Sequence, residues 1–187
     1  MSKVSILIFF VLIFLFGCNS KKNLIELTQL NSSYPIILYM NKEYKEIVRI
    51  KLPLKIRLQN NSYSTKEYAS IKYKYHPYKK GIGNPIYVEN RNKLKRVKQS
   101  KKKEIGAYKS KEYILYSRHR VDTSNSIQSQ FSSYIKEMIS LNQDTLTIGT
   151  IQQFKKSHRE LLNILTEKDS VSINIWKDKD VTIPISW

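Results

Sequence analysis

The chain has 187 residues, with 33 Lys and Arg against 15 Asp and Glu, three His and one Cys, giving a formal net charge of +18 and a pI of about 9.8. Its 41% apolar content is that of a globular protein and excludes a fully disordered chain, and its length fits one domain, or one domain with a small appendage, and not a multidomain enzyme. A lone Cys excludes an intrachain disulfide, and three scattered His without a second Cys exclude the usual zinc spacings, so no metal or other cofactor is expected.

Lys3 precedes thirteen uncharged residues, Val4 to Phe16. A membrane-spanning helix takes about 20 apolar residues, so this shorter run reads as the apolar region of a secretory signal. It ends in Leu15-Phe16-Gly17-Cys18, and the polar stretch Asn19 to Asn23 follows. Over these residues the chain resembles the bacterial lipoproteins, whose signals end in a small residue and an invariant Cys. Leu15, Gly17 and Cys18 fit that pattern, and Phe16 stands where Ala or Ser is usual. The resemblance implies cleavage before Cys18, diacylation of its sulfur, and a mature chain held on the membrane through its acyl chains. Each buried methylene contributes about 0.8 kcal/mol to such an anchor. The same resemblance implies the outer membrane, because Asn19 stands in place of Asp, and the periplasmic face, because no acidic run follows Cys18. An ordinary signal with a chance Cys, or an uncleaved anchor, is the alternative.

The expected divisions are a signal peptide at 1–17, a tether at 18–23, a basic β-rich module at 24–122 and an α+β module at 123–187 packed on it. The charge is partitioned in the same way. Residues 42–120 carry 23 basic and six acidic residues, whereas 121–187 carry seven and eight.

Leu24 to Leu30 and Ile36 to Met40 are predicted strands. From Val48 to Leu58 the even positions are all aliphatic and the odd ones basic, except Pro53. Period two puts the aliphatic residues on one face and Arg49, Lys51, Lys55 and Arg57 on the other. Pro53 lacks a donor, which predicts an edge strand, a bulge, or two strands meeting at a bend. Asn60 to Ser62 is a turn, Ile71 to His76 alternates again, and Ile86 to Val88 and Tyr113 to Val121 are further strands. Ile127, Phe131, Tyr134, Ile135, Met138 and Leu141 recur at helical spacing, predicting one amphipathic helix over 126–141. A strand over 144–148 follows. Thr150 and Gln153 form a capping-box pattern that opens a second helix to Leu165. Val171 to Trp176 and Val181 to Trp187 read as a hairpin. The fold class is therefore α+β: an antiparallel β-sandwich or partly open barrel, then a small mixed module with two helices and a C-terminal hairpin.

Arg91, Lys93, Lys95, Arg96, Lys98, Lys101, Lys102 and Lys103 put eight cations into thirteen residues without an acid. Such a run offers a field to a polyanion, such as an anionic envelope polymer or lipid phosphate. It reads equally as a solvated, mobile loop. If the cations of 48–58 and those of Lys72, Lys74 and His76 share one sheet surface, they form a broad basic patch among tyrosines. AT-rich codon usage, which enriches Lys, Ile, Asn and Tyr together, would supply the same charge with no ligand. The export signal argues against nucleic acid.

No His-Glu-x-x-His, Gly-x-Ser-x-Gly or phosphate-cradling glycine motif is present, and Gly81-Ile82-Gly83 lacks the later glycine of a dinucleotide loop. His119, flanked by Arg118 and Arg120, has its cation disfavoured by like charge, and no neighbouring carboxylate gives it a role. Three functions follow from these features. The first is a membrane-anchored, non-catalytic binding or structural module contacting an envelope protein or anionic polymer. The second is an immunity-type lipoprotein that covers a toxin. The third is a divergent enzyme.

Overall fold

The computed structural model describes residues 24–78, 81–91, 93–99 and 102–187. The expected signal and tether, Cys18 among them, and Lys101 of the basic run lie outside the described residues. The strands are β1 (Ile25–Leu30), β2 (Ile36–Asn41), β3 (Glu46–Asn60), β4 (Lys66–Lys74), β5 (Ile86–Asn90), β6 (Lys93–Val97), β7 (Lys103–Ile105), β8 (Ser110–Arg120), β9 (Thr145–Ile148), β10 (Ser170–Ile175) and β11 (Val181–Pro184). The helices are α1 (Asn125–Gln128), α2 (Ser132–Ser140), α3 (Ile151–Ser157) and α4 (Arg159–Thr166), with a 3-10 turn at Ser129–Phe131.

All the strand pairs are antiparallel. A large curled sheet runs β6-β5-β8-β3-β2-β9, with β1 also on β3, and a small sheet runs β11-β10-β4-β7. The α+β class with an antiparallel sandwich or open barrel is thus the one found. Two apolar clusters share the inner face of the large sheet. Leu54, Ile56 and Leu58 of β3 pack under the small sheet, against Tyr68, Ile71, Tyr73, Val171 and Ile173. Ile50 and Leu52 of the same strand pack under the helices, against Phe131, Met138, Phe154, Leu161 and Leu162. One fifteen-residue strand therefore spans both cores.

Pro53 breaks nothing, against expectation. β3 keeps an unshifted register with β8 from Arg49↔Arg120 to Gln59↔Ser110. Val121 N–H donates to the Val48 carbonyl, which fixes the even residues of β3 as those that bond to β8. The Pro53 nitrogen therefore faces the other edge. There β2 reaches Lys51 and β1 begins at Lys55, so Pro53 falls in the gap where no acceptor waits.

The boundary expected at 122/123 does not separate the sheets. β9 pairs with β2 in the large sheet, and β10 pairs with β4 in the small one. Charge and period do change at that point, but backbone donors are satisfied across it. The predicted helices are both broken. The first is interrupted by the 3-10 turn, where the Gln128 side chain bonds both the N–H and the C=O of Ile47, at 2.8 and 2.9 Å. The second is broken at His158, whose backbone leaves the helical region. The capping box of Thr150 and Gln153 is present as expected, with Thr150 N–H donating to Gln153 Oε1 at 2.8 Å.

Both clusters of described residues draw on Ile25 onward. A chain beginning at Leu24 is accordingly expected to unfold in one cooperative transition, at the temperature of the chain beginning at Cys18. Thermal circular dichroism checks this, and a transition lost or lowered relative to the chain beginning at Cys18 would show that 18–23 contributes to the core.

Candidate functional site

The pairing of β3 with β8 creates the most unusual surface of the described residues. Cross-strand partners on a sheet stand with their Cβ atoms about 5 Å apart. On the outer face, Arg49 lies opposite Arg120 and Lys51 opposite Arg118, one step along the ladder. Four cations thus form a square, and like charges directly opposed destabilise a sheet. Further along the same face Lys55 and Arg57 stand beside Glu112, which bonds them at 2.9 and 2.6 Å. Those hydrogen bonds, Lys55 first, hold the Glu112 carboxyl below its usual range. Among the described residues no carboxylate pairs with any of the four cations of the square.

Tyrosines frame the square. Lys51 Nζ lies 4.3 Å from the centre of the Tyr39 ring and donates to the Tyr39 hydroxyl. Tyr116 is opposite Pro53. Burial, with Tyr34, Tyr87 and Tyr39 nearby, pushes its hydroxyl up to about 12. The Tyr116 hydroxyl therefore stays protonated at neutral pH and can donate to an anion.

The described members of the eight-cation run are dispersed and do not form one loop. Lys93, Lys95 and Arg96 form β6, which pairs with β5, and Arg91 lies in the turn between them with φ 49°. Of the described cations of the run, only Arg96, opposite Tyr87, joins the outer face by register. Lys98 is exposed beyond β6. Lys102 pairs with Glu67 at 2.6 Å and lies over the Trp176 ring. Lys103 donates to the Ala69 carbonyl at 2.6 Å, and burial lowers its pKa. Lys72 and Lys74 belong to the small sheet, so they do not extend the patch on β3. Periodicity located Arg49, Lys51, Arg118 and Arg120 on strands. Their opposition depends on pairing between segments about seventy residues apart in sequence, which periodicity does not carry.

A second polar group lies inside. His119 is buried, with Nε2 2.9 Å from Ser117 Oγ and Nδ1 3.9 Å from Asp169 Oδ2. Asp169 accepts from the Tyr73 hydroxyl and from the His76 N–H, both at 2.8 Å. Burial lowers the His119 pKa to about 4, and a backbone hydrogen bond with Leu165 opposes the shift. The direction anticipated from Arg118 and Arg120 is found, but the cause is desolvation, because those side chains leave the opposite face of the strand. Asp169, the carboxylate missing from the sequence reading, is fifty residues away from His119, and no local spacing points to it. Burial raises its pKa. His76 lies in the turn after β4 and not in a strand, and His158 lies between α3 and α4.

Ser117, His119 and Asp169 have the residue types of an acyl-transfer triad, but not its geometry. The His–Asp separation exceeds a hydrogen bond. Ser117 is fully buried, and its Oγ turns to the Leu52 carbonyl at 3.3 Å. Among the described residues no group of three or more His, Cys, Asp or Glu is placed to hold a metal.

Comparison of the chain with family models, curated proteins and solved structures finds no match.

Proposed function

We propose that the chain is a lipid-anchored protein of the bacterial cell envelope that acts by binding and not by catalysis, taking an anionic partner on the outer face of the large sheet. The carrying observation is the square of Arg49, Lys51, Arg118 and Arg120, with two like-charge pairs directly opposed and no carboxylate among them. A fold gains nothing from this arrangement, whereas an anion bridging the pairs relieves it. The acyl anchor rests on Cys18. The chain reaches β1 through Leu24, whose carbonyl accepts from Asn61 N–H at the Asn60 end of β3. Six tether residues reach about 20 Å at most. The square lies nine residues up the strand from that end, about 30 Å away. That separation leaves the square free to face the periplasm in an outer-membrane lipoprotein. That position suits an acidic protein surface or an anionic envelope polymer. An immunity-type role uses the same face, with an acidic toxin surface as the partner, and a toxin gene beside this one would single it out.

Heparin serves as the polyanion probe. The Arg49→Thr/Lys51→Thr double variant is expected to elute from heparin at clearly lower salt than wild type. Exposed charge contacts are screened over about 8 Å at physiological ionic strength. Its stability is expected to fall by no more than about 0.5 kcal/mol, because relief of two opposed pairs offsets the lost Lys51–Tyr39 contact. Equal elution of the two proteins would sink the proposal.

A further inference from the structure

Beside the buried His119 group the fold encloses an open cavity of about 920 Å³, which the outer-face reading does not use. Its floor is His119 and Asp169, already fixed by Ser117, Tyr73 and the His76 backbone. One wall is the described part of the turn and loop after β4, with Tyr75, Tyr78, Ile82 and Asn84. A backbone bridge between Tyr73 and Ile82 holds that loop, and Gly81 permits the close approach, since a Cβ there would meet Lys72 Cβ at 2.8 Å. The facing wall is α4 with Leu161, Ile164 and Leu165, joined by Ile127 of α1. The rim leaves large apolar side chains in water: Tyr78 is 73% exposed, Ile164 68% and Ile82 55%. Arg118 and Arg120 border the same opening along the edge of β8 beyond Leu115, where β5 no longer pairs, with their side chains on the outer face. The one carboxylate there besides Asp169 is Asp122, and it is engaged by Ser124 N–H at 2.6 Å.

We propose that this cavity binds a single alkyl chain bearing an anionic head group. The size lies within the range of small-molecule sites, about 300–1,000 Å³, which are mostly apolar with a few placed polar groups. The chain lies between the β4 loop and α4, covering Ile82 and Ile164, and the head group meets Arg118 and Arg120. A neutral head would leave those cations unanswered, and a cationic one would be repelled. The site stands on observations separate from the outer-face reading, although Arg118 and Arg120 border both.

Membranes carrying the full chain, incubated with photoactivatable, alkyne-bearing hexadecanoic acid, test this. Irradiation-dependent label, which ordinary acylation of Cys18 does not give, is expected on peptides from 75–84 and 161–165. Ile164→Asp and Ile82→Asp, both at exposed positions that the fold tolerates, are each expected to reduce labelling about tenfold through lost apolar contact. The matching photoactivatable hexadecanol is expected to label about tenfold less. Arg49→Thr/Lys51→Thr leaves the labelling unchanged even if it abolishes polyanion binding, so the two readings fail separately. Label spread evenly over the surface, or labelling indifferent to both Asp variants, would overturn the cavity as a site. Equal labelling by the alcohol would overturn the anionic head group.

Discussion

Phe131→Ala is expected to lower the unfolding free energy by about 3–5 kcal/mol, the usual cost of emptying a buried aromatic site. Phe131 is fully buried at the centre of the cluster between the helices and the large sheet. It lies in the 3-10 turn, with the rings of Tyr134 and His158 at 6.5 and 6.3 Å. The backbone around it is pinned by Gln128 to Ile47, so the turn cannot easily collapse into the void. Phe131→Leu keeps most of the volume and is expected to cost less than half as much. Urea unfolding monitored by far-UV circular dichroism measures both. A loss below about 1 kcal/mol in the Ala variant would mean that the helical layer is not packed on the sheet, and the two-core description would fall.

The strands whose residues alternate were legible because one face of each is buried against a core. Ile36, Leu38 and Met40, or Leu54, Ile56 and Leu58, announce themselves by period two. β6 and β7 were not legible. Lys93, Lys95 and Arg96 carry the composition of a solvated loop, and they form a strand because the free edge of β5 supplies backbone partners. Pro53 misled for a related reason. Its missing donor matters only where a neighbour waits, and whether β1 and β2 leave a gap is a property of three strands together. The helix periodicity at 126–141 identified the buried face correctly and missed the break at Ser129–Phe131, since the Gln128 clamp to Ile47 is a tertiary contact.

The candidate surfaces divide in the same way. Each cation of the square could be placed on a strand face from sequence, whereas their cross-strand opposition, and the pairing of Lys55 and Arg57 with Glu112, needed the register of β3 on β8. The dense basic run drew the eye by composition, yet Lys102 and Lys103 serve internal contacts. The cavity was illegible because its walls come from the loop after β4, the end of β8 and the face of α4, which no single period joins.

Acidification from pH 7 to 4 is expected to remove about 3 kcal/mol of stability through His119 alone. The folded protein holds this imidazole neutral, with a pKa near 4 against the ordinary 6.5, chiefly because burial disfavours the cation. The unfolded chain binds the proton below pH 6.5 and the folded one does not. The stability is therefore fully present above 6.5 and is lost as pH falls through the folded value, at about 1.4 kcal/mol for each unit of separation. His158, also lowered by burial, acts in the same direction. Asp169 acts in the opposite one: its raised pKa makes the folded state the better proton acceptor, a contribution present at low pH and lost as pH rises through the folded pKa. The difference between wild type and His119→Gln isolates the imidazole. The Gln amide has no titration, and it retains a donor and an acceptor for Ser117 and the Leu165 backbone. Its unfolding free energy, measured in urea at pH 7, 5.5 and 4, is expected to follow a markedly flatter course than that of wild type. At pH 4 the variant should equal or exceed the wild type, even where it is the less stable of the two at pH 7. Parallel curves would show that His119 is already solvated in the folded protein, and the buried polar floor assigned to the cavity would have to be abandoned.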